Sequence, residues 1–241
     1  MIVDDLFTRT ATEITATANP LEEWFNANRG PLLNKWLHYF DIYDRHFARF
    51  RGRDMVMLEI GVYHGGSLGM WKSYFGPGAK LVGVDINPRA SKFADGQVDI
   101  VIGDQSDRGF LRELRTRYPR IDVLLDDGGH AMHHQIATFE EMFGGVAEDG
   151  VYMVEDTHTS YWAEFGGGLR APGSFIEYAK QLADELNAWH VREWATTERS
   201  VFARSAWSLA FYDSIVAIEK RPKAPPEARL TGKQSFLALD E

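Results

Sequence analysis

Five short apolar runs, each closing on acidic residues, constrain this chain more than any other feature. They are "MVMLEI" (55–60) with Glu59, "KLVGVDI" (80–86) with Asp85, and "VDIVIGD" (98–104) with Asp104. "IDVLLDD" (121–127) follows with Asp126 and Asp127, and "GVYMVED" (150–156) with Glu155 and Asp156. Their aliphatic and β-branched character is nearly continuous, the pattern of strands covered on both faces. Helical stretches separate them: "SLGMWKSYF", stopped by Gly76-Pro77-Gly78, then "DRGFLRELRTRY" and "HHQIATFEEMF". This alternation predicts an α/β fold with a doubly wound, mostly parallel sheet. Ligands of such sheets bind outside the carboxyl ends of the strands. Every acidic terminus lies at that edge, so the acids predict one site.

The flanks are less regular. In "PLLNKWLHYFDIYDRHFARF" (31–50), Leu33, Trp36, Leu37, Phe40, Tyr43 and Phe47 recur three or four apart. That spacing predicts a helix from Pro31 to just before Gly52. Its aromatic stripe is read as core, with the lining of a substrate cleft as the alternative. After the loop "THTSYWAEFGGGLRAPG" (157–173), a helix is expected at about 174–188. "SLAFYDSIVAIEKR" then reads as an antiparallel hairpin turning at Tyr212-Asp213-Ser214. Residues 222–241 read as a tail.

Composition narrows the function. With 26 basic against 35 acidic residues the formal charge is −9, which argues against a nucleic-acid groove. No stretch approaches the ~20 apolar residues that span a bilayer. The start, "MIVDDLFTRT", carries acids where a signal peptide needs basic charge. The chain has no cysteine, which removes disulfides, thiolate metal sites and thiol nucleophiles. A cytoplasmic enzyme is the expectation.

The first loop, "LEIGVYHGGSLGMW" (58–71), is a strand, a glycine turn and a helix start. A dinucleotide fingerprint would read G-x-G-x-x-G. Here Gly61 is followed by Gly65 and Gly66, and Tyr63 stands where the second glycine would be, which counts against a pyrophosphate and a nicotinamide oxidoreductase. Asp85 is placed to accept from ribose hydroxyls and Asp104 from an adenine amino group. Glu59 adds a carboxylate beneath the loop, a poor neighbour for phosphate and a good one for a cation. Adenosine, positive charge and no phosphate describe S-adenosylmethionine.

"VLLDDGGHAMHH" (123–134) supplies the reaction chemistry. Methylating an alcohol needs a metal ion that lowers the hydroxyl pKa, a base that takes the proton, or both. Asp127, Glu155 and Asp156 offer carboxylate oxygens from neighbouring strand ends, a hard donor set suited to Mg²⁺. His130, three residues beyond Asp127, is the candidate base, its imidazole titrating near neutral pH. A plain Asp-Gly-Gly turn with a helix-capping histidine is the competing reading of that motif. Asp126 and Glu155 remain interchangeable between metal and cofactor roles. Tyr161, Trp162 and the Gly166-Gly167-Gly168 run are candidates for a lid over substrate.

Through "LEIGVYHGGSLGMWKSYFGPGAKLVGVDINP", "GDQSD", "LLDDGGH" and "VYMVEDTHTSYW", the chain resembles the class I S-adenosylmethionine-dependent methyltransferases. More narrowly, it resembles metal-dependent sugar O-methyltransferases of macrolide and tetracenomycin pathways, of the mycinamicin VI and rhamnosyl-tetracenomycin type. The resemblance implies a cofactor site lined by Glu59, Gly61, Ser67, Asp85 and Asp104, with Tyr63, Gln105 and Asp126. It also implies metal ligands Asp127, Glu155 and Asp156, His130 as base, and a deoxysugar hydroxyl of a glycosylated natural product as acceptor. A homo-oligomer is a further implication. The division expected is a helical N-terminal extension (1–52), a methyltransferase domain (53–221) and a tail (222–241). The macrolide members carry an additional N-terminal domain, so their acceptor is not carried over. A catechol or other vicinal-diol methyltransferase, and a partner-dependent protein like those of cephalosporin hydroxylation, are the alternatives.

Overall fold

The computed structural model describes residues 19–194 and 196–235. The outermost parts of the expected N-terminal extension and tail, 1–18 and 236–241, lie outside the described residues. Seven strands form one sheet: β1 (Met55–Ile60), β2 (Ala79–Asp85), β3 (Val98–Ile102), β4 (Ile121–Asp126), β5 (Val146–Val154), β6 (Ala206–Tyr212) and β7 (Ile215–Lys220). Their order is β3-β2-β1-β4-β5-β7-β6. The first five are parallel, while β7 runs antiparallel between β5 and β6, so the doubly wound sheet and the C-terminal hairpin are both as expected.

Seven α-helices flank the sheet among the described residues: α1 (Pro20–Ala27), α2 (Tyr39–Phe47), α3 (Gly66–Phe75), α4 (Arg108–Arg117), α5 (Met132–Met142), α6 (Phe175–Leu186) and α7 (Val201–Ser205). Local chemistry fixes several starts. Asn19 caps α1 ahead of Pro20, Asp107 caps α4, and Ser174 accepts from Glu177 N–H at α6. No helix among the described residues is long and apolar enough to cross a membrane.

The pleat sorts side chains between two cores, because successive strand residues face opposite ways. Met57, Val123, Leu125, Val151 and Met153 pack with Phe40, Tyr43, Phe47 and Trp71 from α2 and α3. Leu58, Ile60, Leu124, Tyr152 and Val154 pack on the other face with α4, α5 and α6. Tyr43 makes an edge contact with Trp71 at 5.3 Å between ring centroids and stacks on Phe47 at 5.9 Å.

The aromatic helix is shorter than its periodicity predicts. Residues 28–38 contain no helix or strand, and α2 starts at Tyr39. The segment opens on an Asn28 turn, whose side chain accepts from Gly30 N–H and donates to Pro31 O, and tertiary contacts then override the helical pattern: Lys35 is held between Asp127 and Glu155, and Leu32 O abuts Gly66. Phe40, Tyr43 and Phe47 are core, whereas Trp36 and Leu37 are more than half exposed. One stripe therefore serves as both core and surface.

Candidate active site

The sheet edge where the site was expected is built by extending the ladder one residue past the strands. Gly61 N–H donates to Val84 O, Asp127 N–H to Ile60 O and Glu155 N–H to Asp126 O. Gly61, Asp127 and Glu155 thus stand level, at the point where strand order reverses between β1 and β4. Gly61 has φ +94°, and a Cβ there would lie 1.9 Å from Asp127 O, so the crossing of the two loops requires glycine.

A cavity of about 400 Å³ opens at this edge. Gly61, Tyr63, Ser67, Asp85, Asp104 and Gln105 line it, together with Asp127, His130 and Asp156. Asp85 is already engaged with the glycine loop: one oxygen accepts from Val62 and Tyr63 N–H, the other from Asn87 N–H. Ser106 N–H holds Asp104 below the usual carboxylate range. Four carboxylates around one cavity, Asp85, Asp104, Asp127 and Asp156, favour a cationic ligand over an anionic one.

Two expected cofactor residues lie outside this wall. Glu59 is buried under the loop, accepting from Ser67 Oγ at 2.7 Å and Trp71 Nε1 at 3.0 Å. Burial pushes its carboxyl up to about 7, against the pull of Lys35 and the Trp71 N–H. Asp126 is also buried, and the pleat turns it away from Asp127 toward α5, where Gln105 Nε2 donates to it at 2.5 Å. Burial raises it to about 7. Both residues support the cavity from behind.

The carboxylates expected to bind metal converge, but not equally. Among the described residues, Asp127, His130 and Asp156 bring one donor atom each to within 4.8 Å of one another. Glu155 stands beside them with both oxygens occupied: Tyr43 OH donates to Oε1 at 2.6 Å and Lys35 Nζ to Oε2 at 2.7 Å. Lys35 Nζ also lies 2.5 Å from Asp127 Oδ2. Burial opposes the Lys35 charge, but Asp127 and Glu155 outweigh it and hold the ammonium above its ordinary pKa. Tyr39 OH donates to Asp156 Oδ1 at 2.6 Å, and His130 Nε2 lies 3.5 Å from Asp156 Oδ2. Thr159 Oγ1, 2.9 Å from both His130 O and Asp156 O, ties the two loops together.

This donor set fits a hard divalent cation. Two carboxylates and an imidazole converge, and His130 Nδ1 is buried without a hydrogen-bond partner. The backbone is also strained here. Tyr63, His130 and Asp156 have φ of 50°, 55° and 52°, three of the five non-glycine residues with positive φ among those described, and all three line the cavity.

A second, smaller cavity is lined by Asn34, Lys35, Trp36, Tyr39, Asp127, Glu155 and Asp156. It shares Asn34, Asp127 and Asp156 with the first, so two binding spaces meet at the two aspartates. Exposed aromatics extend from it. His158 packs edge-on against Trp36 at 6.0 Å and Trp162 at 4.7 Å, and Tyr161 and Trp162 are about half exposed. Lys35 and Tyr39 were not expected in the site, and Tyr43 only through the substrate-cleft alternative for its stripe. The only sequence signal for Lys35 is a lone cation within an apolar run.

No family model matches the chain. Demethylmacrocin O-methyltransferase of Streptomyces fradiae is 36% identical over 203 residues, 78% of this chain and 51% of that protein. The 8-demethyl-8-alpha-L-rhamnosyl tetracenomycin-C 2'-O-methyltransferase of Streptomyces olivaceus is 36% identical over 198 residues, 78% of this chain and 52% of that protein. The MycE methyltransferase of the mycinamycin pathway, solved with Mg, S-adenosylhomocysteine and mycinamycin VI, superposes with a TM-score of 0.76 at 30% identity. That match covers 84% of this chain and 54% of MycE. The chain is a class I methyltransferase in fold, and its relatives are O-methyltransferases, two of them named for rhamnosyl tetracenomycins. It spans about half the length of the curated relatives it matches. As a class I methyltransferase fold, it places its larger cavity where ligands of doubly wound sheets bind.

Proposed function

We propose that this chain is a divalent-metal-dependent O-methyltransferase that moves the methyl group of S-adenosylmethionine to a deoxysugar hydroxyl, of rhamnosyl type, on a natural product. The observation that carries the reading is the junction of two cavities at Asp127 and Asp156, with His130 beside it. The larger cavity holds the methyl donor, its acidic wall suiting a sulfonium. The smaller one, continued by Trp36, His158 and Trp162, takes the acceptor, since aromatic faces suit sugar and polyketide rings. The relatives' names support this acceptor class, and MycE's bound Mg and S-adenosylhomocysteine support both cofactors.

Asp127, Glu155 and Asp156 would hold Mg²⁺, which supplies positive charge that lowers the acceptor hydroxyl's pKa. His130 Nε2 takes the hydroxyl proton, and Asp156, 3.5 Å away, stabilises the resulting imidazolium. The acceptor oxygen forms its bond to the methyl carbon as the carbon–sulfur bond breaks, and the electron pair leaves on sulfur as neutral S-adenosylhomocysteine. Residues 53–221 form the catalytic domain in this reading, working in the cytoplasm as a homo-oligomer between an N-terminal extension and a tail.

Thermal melting with S-adenosylhomocysteine, with Mg²⁺ or chelator, tests the cofactors. Ligand at a hundred times its dissociation constant adds about 2.7 kcal/mol, and each kcal/mol moves the midpoint ~2–4 °C at this length. A rise with S-adenosylhomocysteine and none with NAD is expected; no rise would overturn the reading. Turnover of rhamnosyl polyketides against catechols then decides the acceptor.

A further inference from the structure

Lys35 is a buried cation that the reaction does not use. Its side chain is 2% exposed, and it bridges Asp127 Oδ2 and Glu155 Oε2 at 2.5 and 2.7 Å. Those are the distances of an ammonium held by two carboxylates, and a divalent ion bound by the same two oxygens would stand within a few ångströms of Nζ, where like charges repel. Tyr43 OH donates to the other Glu155 oxygen, Oε1, so each oxygen of this carboxylate already serves one partner. Lys35 therefore competes with a metal for the same two carboxylates.

Lys35 belongs to the irregular segment 28–38, and that segment touches both cavities. Leu32, Leu33 and Asn34 line the larger one, and Asn34, Lys35 and Trp36 the smaller. Its backbone presses on the start of α3, where a Cβ at Gly66 would lie 2.5 Å from Leu32 O. Trp36 packs edge-on against His158. With no helix or strand of its own, the segment can shift without breaking a hydrogen-bonded element.

Resting on the reading of Asp127, Glu155 and Asp156 as metal-binding carboxylates, we infer that Lys35 is a positioning residue, an internal counter-ion that keeps Asp127 and Glu155 together until a divalent metal displaces it. Metal binding then frees segment 28–38 from the sheet edge and reshapes the walls of both cavities. The metal site and the cofactor entrance become one coupled device.

Mn²⁺ titration of the full chain by calorimetry, wild type against Lys35→Met, is the first measurement. Removing the competing ammonium is expected to tighten Mn²⁺ binding by at least about tenfold. The second needs no variant: trypsin cleavage after Lys35 and hydrogen exchange across 28–38, with and without Mn²⁺. Metal is expected to expose the Lys35–Trp36 bond and raise exchange in that segment alone. Metal binding that leaves cleavage and exchange unchanged would overturn the inference while preserving the metal site, because Lys35 would then stay beside the ion. No Mn²⁺ binding by either protein would instead overturn the metal reading, and this inference with it.

Discussion

Asp126 and Asp127 are neighbours in the chain and face opposite sides of the sheet. Asp126 is buried against Gln105 under α5, and Asp127 meets Lys35 at the cavity. Asp127→Asn is therefore expected to weaken Mn²⁺ binding by more than the ~10- to 100-fold that loss of an outer contact costs, while Asp126→Asn leaves it within that smaller range. Calorimetric titration of the two variants checks this, and equal losses would show that the pleat does not divide their roles.

His130 takes the acceptor proton in the proposed mechanism, whereas Asp85 and Asp104 are the acids expected to hold the adenosine. His130→Ala should lower turnover by about 10²–10⁴-fold and leave S-adenosylhomocysteine affinity unchanged. Single-turnover rates beside a binding isotherm separate the two effects. Wild-type turnover in the variant would retire His130 as the base.

Burial raises both Asp126 and Glu59 to about 7 in the folded chain, well above their unfolded values near 4. A group with a raised folded pKa contributes stability that is fully present below the unfolded pKa and lost as pH climbs to the folded one. Each should therefore erode stability between about pH 4 and 7, by up to roughly 1.4 kcal/mol per pH unit. Asp126→Asn removes one such slope. Its melting temperature relative to wild type should rise across that window and level off above pH 7; a pH-independent difference would count against the assignment.

Gly61 combines φ +94° with a Cβ position 1.9 Å from a backbone oxygen. Neither the loop nor the Asp127 peptide can yield cheaply. Gly61→Ala should cost more than about 3 kcal/mol, a fall of some 6 °C or more in melting temperature. Calorimetric melting of the variant checks it.

Much of this architecture is legible in the sequence because strand periodicity and acidic ends are local signals. The runs at 55–60, 80–86, 98–104, 121–127 and 150–156 all became strands with their acids at one edge. Gly61, Tyr63, Ser67, Asp85, Asp104 and Gln105 line one cavity for the same reason. What periodicity could not decide is which of two adjacent acids faces the ligand; that needed strand register, which turned Asp126 inward. Nor could it pair Lys35 with Asp127 and Glu155, which lie 92 and 120 residues away. The helix expected from Pro31 began only at Tyr39, because long-range contacts, with Lys35 held between Asp127 and Glu155, outcompeted an apolar pattern that was otherwise helical.

The level alignment of Gly61, Asp127 and Glu155 makes the sheet a ruler. Neighbouring strands stand about 4.8 Å apart, so the spacing from glycine loop to each carboxylate is set by main-chain hydrogen bonds. Loops such as 28–38 and 157–173 are free of that measure. In the proposed reaction, acceptor preference can therefore drift through Trp36, Tyr161 or Trp162 while the glycine loop and the carboxylates stay in register, so the acceptor could change without the sheet edge being rebuilt.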